Sequence, residues 1–129
     1  MDIIKIYGEI QNELGKFSFK RTSLSYQYLI DAIFILTQDR MAMRDFNKYV
    51  YPKIAQKYET KPENVLWCIT KLLKVMYLNT DASVISEYFG IAIGENPSSK
   101  AFIIQISGKV LEKFGAGNDF VTDFLQILL

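Results

Sequence analysis

Residues 50–69 read VYPKIAQKYETKPENVLWCI, and this stretch decides the fold. Two short helices are predicted here, separated by a turn at residues 59–61. Helices that cross at a steep angle need a small residue where they touch, and Ala55 supplies it. Val65, ten positions later, supplies the apolar residue that closes the wedge. Glu59 stands where such turns often carry glycine. The stretch therefore predicts a helix-turn-helix, although a helical pair that serves only packing fits the same pattern.

Apolar residues elsewhere recur with the spacing of α-helices almost throughout the chain. Six or seven helices are predicted, so the expected fold class is all-α, in one compact domain. The boundary signals are Gly15 after the first helix, Ser23 or Ser25 before the second, Pro52 at a restart, Asn79 after a long helix, Asp81 and Gly90 around a short one, and Ser98 or Ser99 before the next.

The long helix is predicted to run from Lys61 to about Leu78. Thr60 followed by Glu63 predicts a capping box, and Pro62 falls in the first turn, where it costs no hydrogen bond. At 100° per residue, the buried face comprises Val65, Ile69, Leu72 and Met76, and the outward face comprises Trp67, Thr70, Lys71 and Lys74.

The composition bounds the possible functions. The 129 residues are 50% hydrophobic, contain no histidine and include one cysteine, Cys68, which we expect to be an inert thiol. Histidine-dependent catalysis, the usual zinc sites and an intramolecular disulfide are excluded. The carboxylates form no recognisable catalytic or metal-binding pattern, so we expect no enzyme and no cofactor. The sequence carries no signal peptide and no long apolar run, which predicts a soluble, cytoplasmic protein without membrane partners.

The charge is unevenly distributed. The net charge of the chain is +1, but the segment from Arg40 to Lys74 holds eight basic and three acidic residues, a net charge of +5, which leaves −4 for the remainder. Such a segment is typical of a surface that faces phosphates, and also of an ordinary solvated helix pair.

Several stretches carry a family resemblance. They are YQYLIDAI at residues 26–33, VYPKIAQKY at residues 50–58, Val65, Ile69, Phe89-Gly90 and Phe102-Ile103. From about Glu13 to Lys113, the chain resembles the C-terminal effector domain of the stage-zero sporulation response regulator of endospore-forming bacteria. The loop between Gly90 and Phe102 is shorter than in that family.

The resemblance implies an all-helical domain of about six helices that binds DNA through its helix-turn-helix. In that family a receiver domain with a phosphorylated aspartate usually precedes the effector domain. Here one helix precedes it, so we expect a stand-alone effector domain at residues 1–114, controlled by its abundance or by a partner. Residues 115–129 are predicted to form an additional apolar helix, which either packs on the domain or dimerises.

The predicted recognition helix departs from the family. The family resembles Ser-Arg-Val-Glu-Arg-Ala-Ile-Arg where this chain has ENVLWCIT at residues 63–70. Only Asn64 and Thr70 keep side chains that can read base edges, so the family's sequence preference should be altered or weakened. Trp67 could be covered within the monomer, bury itself in a protein contact, or stack on a base.

These patterns predict a transcription modulator, with sporulation-linked genes as the expected targets and double-stranded DNA as the expected partner. The alternative is an interaction protein that has lost DNA binding, and that binds a second copy of itself or another transcription regulator. The candidate DNA-binding residues are Lys48, Lys53, Lys57, Lys61, Asn64, Trp67, Thr70, Lys71 and Lys74. The candidate protein-interface residues are Leu66, Trp67, Phe120, Phe124 and Leu128.

Overall fold

A computed structural model describes residues 2–115 of the chain. This part contains seven α-helices, one 3-10 helix and no strand. The helices are α1 (Ile3–Leu14), α2 (Leu24–Gln38), the 3-10 helix (Arg40–Arg44), α3 (Phe46–Tyr49), α4 (Tyr51–Lys57), α5 (Pro62–Asn79), α6 (Ala82–Phe89) and α7 (Ser99–Glu112). The all-α prediction is confirmed. The helix predicted at residues 115–129 lies, apart from Gly115, outside the described residues.

Most helix boundaries follow the local signals in the sequence. The side chain of Ser23 accepts a hydrogen bond from the Tyr26 amide, at 3.1 Å, and so caps α2. Ser98 caps α7 and Asp81 caps α6 in the same manner. Pro52 lies in the first turn of α4, directly after the short helix α3, so the predicted restart is confirmed.

The predicted capping box at Thr60 is wrong. The N-cap of α5 is Lys61, whose side chain caps nothing, and the Thr60 hydroxyl instead accepts a hydrogen bond from the Asn64 side-chain amide at 3.0 Å. The reason is Pro62, which opens α5 and forces the residue before it into an extended conformation. Lys61 therefore takes the cap position and Thr60 lies one residue too far out.

The buried face of α5 differs from the prediction at one position. Val65, Ile69, Leu73 and Met76 are buried, whereas Leu72 is only half-buried. Since α5 contacts α7 as well as α2 and α4, the buried stripe widens toward Leu73, on the α7 side of the helix.

Helices α2 and α7 form the centre of the core. The Ser107 hydroxyl of α7 donates to the carbonyl of Ile33 in α2 at 3.3 Å, so the two backbones lie close together. The fully buried Phe102 ring contacts the rings of Phe17 and Phe89, at centroid distances of 5.5 and 5.4 Å. This aromatic cluster joins α6, α7 and the segment after α1. Tyr51, Ile54 and Ala55 of α4 are also buried, whereas the outer face of α5 lies at the surface.

Candidate nucleic-acid interface

Helices α4 and α5 form the predicted helix-turn-helix. Ala55 and Val65 are both buried where the helices meet, and the Thr60 amide donates to the Ala55 carbonyl at 2.9 Å. Glu59 has a backbone φ of 54°, the left-handed conformation that glycine adopts without cost. Glutamate thus makes the turn that the glycine of related motifs makes, at a cost of about 1 kcal/mol.

A buried carboxylate anchors α4 to the core. Asp31 of α2 is buried, and its Oδ2 accepts hydrogen bonds from the Tyr58 hydroxyl at 2.7 Å and from the Lys57 ammonium at 3.1 Å. Its Oδ1 accepts from the Gln27 side-chain amide at 3.3 Å. These bonds fix the C-terminal end of α4 against α2, and so set the position of the helix-turn-helix on the domain.

The ionisation of this anchor follows from its surroundings. Partial burial lowers the pKa of Lys57, but the hydrogen bond and charge of Asp31 outweigh it, so the pKa lies above the ordinary value. Burial, together with Asp31, raises the pKa of Tyr58 as well. At neutral pH a charged lysine and a neutral tyrosine therefore share one carboxylate.

The outward face of α5 carries both positive charge and apolar surface. Trp67 is 60% exposed, and the Lys71 ammonium lies 4.8 Å from the centroid of its ring. The described residues therefore do not cover this side chain. Lys61, Asn64 and Lys74 are exposed on or next to the same face. Leu66 is 38% and Leu78 is 85% exposed.

The other candidate DNA-binding residues lie elsewhere. Lys53 and Lys57 face a groove between α4, α2 and α1. Lys48 lies in α3, with its ammonium 5.2 Å from the Tyr49 ring centroid. Thr70 is half-buried, and its hydroxyl lies 3.4 Å from that of Ser99 at the start of α7.

The structure therefore separates the candidate DNA-binding residues by their location. It brings together Lys61, Asn64, Trp67, Lys71 and Lys74, and it does not bring Lys53, Lys57 or Lys48 onto that face. The interface candidates Phe120, Phe124 and Leu128 lie outside the described residues.

Sequence reasoning missed the anchor at Asp31. A signal was present, because this carboxylate stands within the apolar run from Leu29 to Ile33. A charged side chain inside such a run is buried and needs a partner. The identity of the partner depends on the packing of α4 on α2, which no local pattern encodes.

Comparison with known protein families identifies the family of this helix-turn-helix domain. The sequence model of the family described as "Sporulation initiation factor Spo0A C terminal" matches residues 10–110. The chain belongs to this family. The match covers most of the chain and includes the helix-turn-helix and Asp31, and it confirms the resemblance carried by the YPKIAQKY stretch.

As a Spo0A C-terminal domain, the protein is a DNA-binding, helix-turn-helix domain of the transcription-regulator type. The Spo0A C-terminal family is a regulatory family, not an enzyme family. None of the helices in residues 2–115 has the length and apolarity needed to cross a membrane. Over the same residues, no acidic or cysteine side chains cluster in a way that could hold a metal ion.

Proposed function

We propose that this protein regulates transcription of sporulation-linked genes by binding DNA through α5 with a weakened or altered sequence preference. The observation that carries this proposal is the composition of the outward face of α5. Lys61, Lys71 and Lys74 are exposed on or next to the same face as Trp67, and Asn64 is the exposed amide on this face suited to reading adenine edges.

The lysines would bind phosphates, which supplies affinity without sequence information. Asn64 donates from its side-chain amide to the Thr60 hydroxyl, so part of its hydrogen-bonding capacity is already used. Thr70, the other residue with base-reading chemistry, faces Ser99. A good bidentate base contact contributes about 1 to 3 kcal/mol of discrimination, and this face offers few of them.

We infer a non-enzymatic regulator without a cofactor, which acts in the cytoplasm on the chromosome. This inference rests on the regulatory character of the family and on the chemistry of the α5 face.

A competition experiment tests the weakened readout. Binding of the fluorescently labelled family target duplex would be competed with the same duplex and with a random duplex of equal length. We expect less than about a hundredfold difference between the competitors, below the usual range for specific recognition. A larger preference for the target would contradict the proposal.

A second candidate function rests on the apolar residues of the same helix. Trp67, Leu66 and Leu78 are all exposed, and an aromatic residue beside aliphatic ones is typical of protein-interface hot spots. The partner would be a second copy of the chain or another transcription regulator. Sedimentation of the wild type and of Trp67→Ala tests the first case: a dimer lost in the variant supports this candidate, and a wild-type monomer at high micromolar concentration excludes the homodimer.

A further inference from the structure

The exposed residues at the start of α5 lie where a helix-turn-helix meets base edges. Such motifs place the N-terminal residues of their second helix in the major groove. Asn64 and Trp67 are the third and sixth residues of α5, and both are exposed. Residues three apart on a helix are neighbours, with Cβ atoms about 5 to 6 Å apart, whereas base pairs stack about 3.4 Å apart. These two side chains therefore face the same base pair or adjacent ones.

Two hydrogen bonds hold the side-chain amide of Asn64. Its Nδ2 donates to the Thr60 hydroxyl at 3.0 Å, and its Oδ1 accepts from the Cys68 thiol, with a sulfur–oxygen distance of 3.7 Å. An asparagine amide has two donor hydrogens and two acceptor lone pairs, so one of each remains free. In the major groove adenine presents one acceptor, N7, and one donor, the N6 amino group. The free part of the Asn64 amide therefore matches adenine.

The Trp67 ring offers an apolar contact beside this amide. The side chain is 60% exposed, and the Lys71 ammonium lies over the ring, 4.8 Å from its centroid. A cation over one face of an indole leaves the opposite face free for contact. The apolar group that base pairs display in the major groove is the C5-methyl of thymine. The open face of Trp67 therefore suits a thymine methyl.

The same part of α5 has little to offer a guanine. Arginine and lysine read guanine O6 and N7, and residues 62–69 contain neither. Lys61 precedes the helix, and the Lys71 ammonium lies over the Trp67 ring. Glu63 is the alternative reader here, because an exposed carboxylate accepts from the cytosine amino group. A carboxylate also repels the DNA phosphates, whereas Asn64 and Trp67 carry no charge, which favours A·T pairs.

We propose that Asn64 and Trp67 together give α5 a preference for A·T pairs, with Asn64 on N6 and N7 of an adenine and Trp67 on the C5-methyl of a thymine in the same or the next base pair. This inference rests on the proposed binding of DNA through α5, and it names the bases behind the altered sequence preference. The lysines of α5 supply affinity for any duplex, and these two uncharged side chains supply the choice among duplexes.

Replacing thymine by deoxyuridine tests the contact of Trp67, because it removes the C5-methyl and leaves every hydrogen-bonding group of the base in place. Affinity of the full-length chain would be measured at one salt concentration for an A·T-rich duplex, for the same duplex with deoxyuridine, and for a G·C-rich duplex of equal length. We expect the A·T-rich duplex to bind about tenfold more tightly than the G·C-rich one. Deoxyuridine should weaken binding about three- to fivefold.

Variants assign the two effects to their side chains. Trp67→Ala should bind the thymine and deoxyuridine duplexes equally, whereas Asn64→Ala should keep the thymine discrimination and lose most of the A·T preference. Leu78→Ala removes an exposed apolar side chain further along the same side of α5, and this matched control should behave as the wild type. Because each variant is compared across the same duplexes, a change in DNA flexibility caused by deoxyuridine cancels.

The outcomes separate this inference from the function on which it rests. Salt-dependent binding with equal affinity for the thymine and deoxyuridine duplexes would overturn the inference and leave DNA binding intact. A thymine discrimination that persists in Trp67→Ala would overturn it as well, and so would a G·C preference, which would assign the reading to Glu63. Loss of a dimer in Trp67→Ala without any change in base preference would place Trp67 in a protein contact instead. Absence of binding to all three duplexes would contradict the proposed function itself, and this inference with it.

Discussion

The hydroxyl of Tyr58 donates a 2.7 Å hydrogen bond to Oδ2 of Asp31, the same oxygen that lies 3.1 Å from the Lys57 ammonium. Two adjacent residues at the end of α4 thus share one buried carboxylate of α2. This arrangement gives Lys57 a structural role within the YPKIAQKY stretch. The lysines that remain for DNA on the α5 face are Lys61, Lys71 and Lys74.

Removing the charge of this carboxylate should destabilise the fold. Asp31→Asn weakens two hydrogen bonds to the end of α4 at a buried position, and we expect a loss of about 1 to 3 kcal/mol in the free energy of unfolding. Tyr58→Phe, which removes one of these bonds, should cost about 1 kcal/mol. Urea denaturation followed by circular dichroism measures both. Wild-type stability in Asp31→Asn would show that the anchor contributes nothing.

The turn of the helix-turn-helix should gain stability from glycine. Glu59→Gly relieves the left-handed strain at φ 54°, and we expect a gain of up to about 1 kcal/mol. Gln56→Gly, three residues earlier and exposed within α4, is the control and should lose about 1 kcal/mol. Comparison of the two melting temperatures checks the prediction, and a loss of stability in Glu59→Gly would refute it.

The two faces of α5 should separate folding from binding. Ile69 is fully buried, so Ile69→Ala should cost about 2 to 5 kcal/mol of folding stability. Trp67 is mostly exposed, so Trp67→Ala should change stability by less than about 0.5 kcal/mol while weakening whatever α5 binds. Circular dichroism melts of both variants measure the difference. Equal destabilisation by Ile69→Ala and Trp67→Ala would mean that Trp67 is covered in the folded protein, and residues 116–129 would then be the first candidates to cover it.

Stability should fall at alkaline pH. Burial raises the pKa of Tyr51 to about 12, so between about pH 10 and pH 12 the unfolded chain loses this proton while the folded chain keeps it. The raised pKa of Lys57 acts in the same direction, since its stabilisation is present below its ordinary pKa and is lost as the pH rises through the folded value. Tyr51→Phe should therefore reduce the decline, as measured by urea midpoints across this range. An unchanged decline in Tyr51→Phe would contradict the assignment.

Much of the fold follows from local chemistry. The caps satisfy backbone donors within the first turn, so the sequence indicated Asp81 and narrowed the other two to Ser23 or Ser25 and to Ser98 or Ser99, of which the structure shows Ser23 and Ser98. The outward position of Trp67 follows from helical spacing in the same way. Thr60 shows the limit of local patterns, because the capping box competes with the effect of Pro62 on the residue before it, and the proline wins.

What depends on packing between helices could not be predicted. The partners of Asp31 lie 26 and 27 residues away in the sequence, and they meet it only once α4 has packed on α2. The burial of Leu73 in place of Leu72 depends on α7 in the same way.

The outward positions of Trp67, Lys71 and Lys74 were predicted correctly, because spacing along one long helix fixes its outward residues. The outward position predicted for Thr70 was wrong, because α7 packs beside it and half-buries it against Ser99.

The salt dependence of DNA binding tests the central claim, that the lysines of α5 bind phosphates, most directly. Affinity for a random duplex would be measured between about 50 and 200 mM salt for the wild type, for Lys71→Ala/Lys74→Ala and for Lys5→Ala, a control on the exposed surface of α1. We predict a log–log slope of about −2 to −3 for the wild type and for Lys5→Ala, and a slope shallower by about 2 for the double variant. A wild-type slope near zero, or an unchanged slope in Lys71→Ala/Lys74→Ala, would contradict the account.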